Sequence, residues 1–145
     1  MPRALSAGLH MTEAPAILIV DDEKIIRKAY CLELKAAGYD AAAAASAAEA
    51  LSLLAQKKFV IVYVDFTLPD MDGILLCRRI KECVPLSEVV IMSGRVDARQ
   101  QLREECIAAG GYPEILQKPL QGTELTDLSK RIQQEHQASR TGMGL

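Results

Sequence analysis

An α/β fold built on a doubly wound parallel sheet is predicted for this chain by its apolar runs and by what separates them. Four short runs, residues 16–20 (AILIV), 59–64 (FVIVYV), 88–92 (EVVIM) and 114–117 (EILQ), are each followed by a segment of helix length. The runs are continuous rather than alternating, as strands buried on both faces must be, and helices covering both sides of a parallel sheet supply that burial. At 145 residues, half of them hydrophobic, the chain is long enough for one compact core.

The elements follow in order. Residues 1–15 carry Pro, Gly and small polar residues without periodicity and read as a flexible leader. After AILIV a helix is expected from near Glu23 to Gly38, where glycine suits a left-handed cap. Its residues Ile25, Ile26, Ala29, Tyr30 and Leu34 are available to cover the sheet. DAAAAAS, residues 40–46, is ambiguous, because alanine favours helix over strand. A short edge strand is expected there only because the alternation of strands and helices requires one.

SAAE, Ser46 to Glu49, has the form of a capping box and opens the next helix. Another helix follows Gly73 and stops before Pro85. Residues 138–145 (ASRTGMGL) read as a flexible tail with no output domain after it, which leaves 16–137 as the folded domain.

Composition removes several function classes. The formal net charge is −2 and the basic residues are scattered, so no stripe follows a phosphate backbone and direct nucleic-acid binding is not expected. No apolar run is long enough to cross a bilayer and no secretion signal is present, so a cytoplasmic protein without membrane contact is expected. Cys31, Cys77, Cys83 and Cys106 are spaced too irregularly for a zinc ribbon and read as buried or half-buried free thiols. His10 and His136 lie in segments expected to be peripheral, which argues against a Ser-His-Asp triad. Any phosphohistidine chemistry would then need a histidine on another domain or molecule.

The polar residues at the strand ends are less ordinary. Asp21 and Asp22 follow the first apolar run directly, and Asp65 closes the run that ends in VDFTLPDMDG. Carboxylates brought to about 5 Å repel by roughly 3 kcal/mol per pair at an effective dielectric near 20, so a cation is expected among them. Ser93 and Lys118 end two further strands. Ligands of open parallel sheets gather at the carboxyl ends of the strands, so these residues should share one rim. Each has an ordinary structural reading as well: a helix N-cap pair, a turn in PDMDG, a loop start at Ser93-Gly94 and a surface lysine.

Their order and spacing carry a resemblance. DD after the first strand, DxxxPxMDG from Asp65 to Gly73, Ser93 followed by a small residue, and KP at Lys118-Pro119 resemble the response-regulator receiver domains of two-component signalling, from Ile17 to about Gln137. The resemblance implies a flavodoxin-like, five-stranded parallel sheet of order 2-1-3-4-5 with helices on both faces. It implies that Asp65 accepts a phosphoryl group from a histidine kinase or a histidine phosphotransfer domain. Asp22 and Asp65 would ligate Mg²⁺ directly, Asp21 directly or through water, and Thr67 through its backbone carbonyl. Lys118 and Ser93 would each hold a phosphoryl oxygen, and Gly94 would leave the approach open. A downstream protein effector and a phosphorylation-dependent dimer are the implied partners.

Two positions depart from or vary the family pattern. Ile115 stands where receivers usually carry Tyr or Phe, and nearby Tyr112 reads as an exposed loop aromatic. Arg95 and Thr67 occupy the positions that modulate loss of the phosphoryl group in the family. Ile115 leaves room for a constitutive protein-binding module that keeps the fold without the phosphorylation cycle. A Mg²⁺-dependent aspartyl phosphohydrolase is disfavoured, since the second acid such enzymes place two residues after the nucleophile is here Thr67.

Overall fold

The computed structural model describes residues 14–95 and 99–143. Strands and helices alternate throughout: β1 Ala16–Val20, α1 Lys24–Ala36, β2 Asp40–Ala44, α2 Ala47–Gln56, β3 Ile61–Asp65, α3 Gly73–Cys83, β4 Glu88–Ser93, α4 Arg99–Ala108, β5 Leu116–Gln117 and α5 Glu124–Met143. The five strands are parallel and ordered β2-β1-β3-β4-β5, the predicted doubly wound sheet. The switch in strand order falls between β1 and β3, where a crevice at the carboxyl ends is expected.

Alternation within the apolar runs sorts their side chains onto two faces. Leu18, Val20, Val62, Val64, Val89 and Ile91 pack with α2, α3 and α4 through Ala50, Leu54, Leu76, Ile80, Leu102 and Cys106. Ile17, Ile19, Ile61, Tyr63, Val90 and Met92 pack with α1 and α5 through Tyr30, Leu34, Leu125, Leu128 and Ile132. A fully buried Val, Leu or Ile contributes about 1.5–3 kcal/mol, so these two layers dominate the favourable energy of folding. Tyr63 keeps its polar tip satisfied inside its layer by a 2.6 Å hydrogen bond with Ser129 Oγ.

The alanine-rich stretch is a strand. Asp40 to Ala44 pair residue for residue with β1, and Ala41 and Ala44 are buried on opposite faces. Ladder pairing at the sheet edge outweighs alanine's helix preference, and Gly38 at φ +98° turns the chain into it. At α2 the expected cap forms in part: Ser46 Oγ accepts the Glu49 amide at 3.2 Å, while Glu49 reaches one residue past the cap and accepts the Ala45 amide at 2.7 Å rather than that of Ser46.

Several boundaries and orientations differ from the sequence expectation. The third strand starts at Ile61 rather than at residue 59 and includes Asp65, while the last strand is only Leu116–Gln117. On α1 the sheet-facing stripe is Ile26, Tyr30 and Leu34; Ala29 is exposed and Ile25 is 81% exposed. Residues four apart share a helix stripe, and Ile25 and Ala29 lie one step round from it. Cys77 and Cys106 are buried and Cys31 is half-buried, but Cys83, at the end of α3, is exposed.

Helix α5 runs to Met143, past the boundary expected after Gln137. The expected leader up to residue 13, with His10, and the last two residues lie outside the described part. Among the described residues no helix is long and apolar enough to cross a membrane.

Candidate functional site

At the end of β1 the two adjacent aspartates take different environments. Asp21 is fully buried, and its amide continues the strand ladder to the Ala44 carbonyl at 3.1 Å. Its carboxylate is held from two sides: Oδ1 accepts the Glu23 amide at 2.9 Å, and Oδ2 accepts Lys118 Nζ at 2.7 Å. Arg27, one turn into α1, donates to the Asp21 carbonyl at 2.9 Å. Asp22 is exposed and open to a ligand.

Asp65 ends β3 with 7% of its surface exposed. The loop beyond it closes tightly, because the Gly73 amide donates to the Phe66 carbonyl at 2.7 Å and Thr67 bridges to Asp72. A Cβ at Gly73 would stand 2.7 Å from the Asp65 carbonyl oxygen and 2.9 Å from Phe66 Cα. Only glycine lets the start of α3 press against the backbone that carries Asp65. Asp72 then caps α3 by accepting the Leu75 amide at 2.8 Å.

Lys118 follows β5, and its amide ties that strand to the Ser93 carbonyl at 2.9 Å. Its ammonium lies 2.7 Å from Asp21, 3.4 Å from Asp65 and 3.6 Å from Glu23. Ser93, next to the register partner of Asp65, is buried, and its Oγ accepts the Arg95 amide at 3.0 Å. At Gly94 a Cβ would meet no atom within 4 Å, so the surface beside Ser93 is open.

The electrostatics follow from crowding. Burial pushes the Asp65 carboxyl up to about 6; Lys118 pulls it down, Asp21 pushes it further up, and the Thr67 amide lowers it by a hydrogen bond. Burial opposes the charge on Lys118, but its hydrogen bond to Asp21 and the fields of Asp65 and Asp21 outweigh this and hold its pKa above the ordinary lysine value. Asp21, Asp22 and Asp65 each offer an oxygen atom, and these atoms lie within 4.8 Å of one another. Lys118 pairs with Asp21 and Asp65, and Asp22 adds a third carboxylate beside them, so negative charge is in excess at the rim. An all-oxygen donor set with that excess suits a hard divalent cation rather than zinc.

Of the residues singled out from sequence, Asp21, Asp22, Asp65 and Lys118 come together, with Ser93 on the neighbouring strand end and Thr67 on the loop after Asp65. His136 lies elsewhere, half-buried and 2.8 Å from Glu88. Tyr112 corrects the sequence expectation, for it is buried: its amide donates to the Val89 carbonyl at 2.8 Å and its hydroxyl donates to Glu135 at 2.9 Å. Burial and Glu135 push its pKa up to about 12. Ile115 is buried in the layer that contains Leu102 and Cys106. Glu23, Arg27 and Asp70 escaped the sequence reading; only the acidic character of DDE and PDMD hinted at the first and last.

Residues 17–130 match the family model for the response regulator receiver domain. This chain belongs to that family. The receiver is 30% identical over 125 residues to the C4-dicarboxylate transport transcriptional regulatory protein DctD of Rhizobium meliloti, covering 86% of this chain and 26% of the relative. It is also 30% identical to the two-component response regulator ORR5 of Oryza sativa, covering 91% of this chain and 98% of that protein. The receiver spans about a quarter of the length of the first curated relatives it matches. Among solved structures, the signal receiver domain of an HD domain-containing protein from Pseudomonas fluorescens superposes with a TM-score of 0.79 at 28% identity, covering 89% of this chain and 93% of that one.

Proposed function

We propose that this receiver is a phosphorylation-driven signalling switch in the cytoplasm, with Asp65 as the phosphoacceptor. The convergence of Asp21, Asp22, Asp65 and Lys118 on one rim carries the reading. Phosphoryl transfer depends on positioning and charge stabilisation, and these residues supply both. A carboxylate oxygen of Asp65 attacks the phosphorus of a phosphohistidine on a histidine kinase or phosphotransfer domain; the P–N bond breaks and the imidazole nitrogen leaves with the electron pair.

Mg²⁺ would be held by Asp22 and Asp65, by Asp21 directly or through water, and by the Thr67 carbonyl. When bound it would supply positive charge against the carboxylates and the phosphoryl oxygens. Lys118, 3.4 Å from Asp65, would take a phosphoryl oxygen. Ser93 accepts from Arg95, which leaves its hydroxyl hydrogen to donate to another. Drawing Ser93 toward the phosphoryl group would pull the loop before α4 and alter the α4–β5–α5 surface seen by an effector or a second copy. Ile115 replaces the usual swinging ring with a branched aliphatic, so that output would run through a different rearrangement.

Incubation with a small-molecule phosphodonor and Mg²⁺ is expected to add one phosphate, detected by mass, and Asp65→Asn to add none. An unchanged wild-type mass would remove this reading. The competing reading, a constitutive binding module, is favoured by Ile115 alone; it requires failure to bind both Mg²⁺ and beryllofluoride with partner binding intact.

A further inference from the structure

The loop between β3 and α3 is anchored to the start of α2. Asp70 extends from this loop to the start of α2, where Oδ1 accepts the Ala47 amide and Oδ2 the Ala48 amide, both at 2.9 Å. Ser46 Oγ takes the Glu49 amide at 3.2 Å, so the first three amides of α2 are all satisfied, two of them by a residue 22 or more positions away. The helix already has its own capping residue, and the Asp70 carboxylate is an addition to it. The two amides hold the Asp70 carboxyl below the ordinary aspartate range, as expected for an anion at a helix N-terminus.

The rest of the loop is fixed near its ends, by Gly73 to Phe66, by the Thr67–Asp72 bridge and by buried Leu68. Asp70 lies at its middle, between Thr67 and the α3 cap Asp72. From this geometry we propose that Asp70 is a positioning residue, tying the loop to α2 so that the Thr67 carbonyl and the Asp65 carboxylate are held ready for a divalent cation. This rests on the metal reading given above and deepens it. Groups that orient metal ligands from outside typically change metal affinity by about 10–100-fold when removed, and an anchor acting through a loop belongs at the low end of that range.

The test compares Mg²⁺ titration of wild type, Asp70→Ala, Asp70→Asn and Ser46→Ala, followed by amide chemical shifts, with amide hydrogen exchange measured in metal-free protein. Ser46→Ala loosens the start of α2 without touching the loop. Asp70→Ala is expected to weaken Mg²⁺ binding about tenfold, and to speed exchange at Ala47, Ala48 and the non-proline residues of 67–72 while leaving β1 protected. Asp70→Asn keeps one acceptor oxygen and should fall between, and Ser46→Ala should keep wild-type Mg²⁺ affinity. Wild-type binding with unchanged affinity in Asp70→Ala, or an equal loss in Ser46→Ala, overturns the positioning role alone. Wild-type protein that binds no Mg²⁺ overturns the metal reading and this one together.

Discussion

Within β1 and β3 the interior and the carboxyl end obey opposite rules one residue apart. From Ile17 to Val20 and from Ile61 to Val64 every side chain is buried and apolar apart from the hydroxyl of Tyr63. At the next position each strand buries an acid, Asp21 or Asp65. The interior needs only to be dry and filled, because its energy comes from area removed from water. The rim is buried at a cost and stands only because Lys118 and backbone amides offset the charge. Stability should therefore be insensitive to pH and ions in one region and governed by them in the other.

The strongest way to break this contrast is to remove the rim's cation. Lys118→Met leaves Asp21 buried beside Asp65 without its partner and should destabilise metal-free protein by about 3–5 kcal/mol at pH 7 in urea unfolding, with Mg²⁺ restoring part of the loss. Leu18→Ala, in the interior, should cost about 3 kcal/mol by the same measurement, with no dependence on Mg²⁺. If both variants respond equally to Mg²⁺, the two regions do not differ as described.

A smaller effect is expected at the junction of the regions. Gly73→Ala places a methyl against the Asp65 carbonyl and the Phe66 backbone, neither of which is a flexible side chain. It should cost about 1–3 kcal/mol and lower phosphorylation of Asp65, read by mass after treatment with the phosphodonor.

The weakest response is expected from the titration of Asp65. The Asp65 carboxyl is raised to about 6 from an ordinary value of 3.8, so the folded protein binds that proton more tightly than the unfolded chain does. Its contribution is fully present below about pH 4 and is lost as pH rises through 6. Asp65→Asn should accordingly stabilise metal-free protein by about 1–2 kcal/mol at pH 8, with the advantage vanishing near pH 4, in thermal melts of the two proteins. A pH-independent difference would place its origin outside the ionisation of Asp65.

Legibility from sequence follows the same division. The apolar runs read directly as β1, β3 and β4, because continuous burial leaves a continuous signature, and the acids at the ends of β1 and β3 break it. The edge strand Asp40–Ala44 was recoverable only from the alternation of elements, since alanine carries no strand preference of its own. Tyr112 was misplaced because its cover comes from α5, where Glu135 receives its hydroxyl. Ile25 was misplaced because a helix's apolar residues do not announce which stripe will meet the sheet. Asp70 read as turn chemistry, and nothing local to PDMDG names the amides of α2 as its partners.

Short stretches of neighbouring residues encode the α/β alternation, the receiver motifs and the identity of the acids, hydroxyl and lysine at the strand ends. The packing of distant elements sets the rest: Asp21 is buried while Asp22 is exposed, Lys118 reaches Asp21 across 97 positions, and Asp70 fastens its loop to α2. Strand and helix patterns arise from contacts between near neighbours, whereas the balance of buried charge depends on which distant groups the folded sheet brings within a few ångströms.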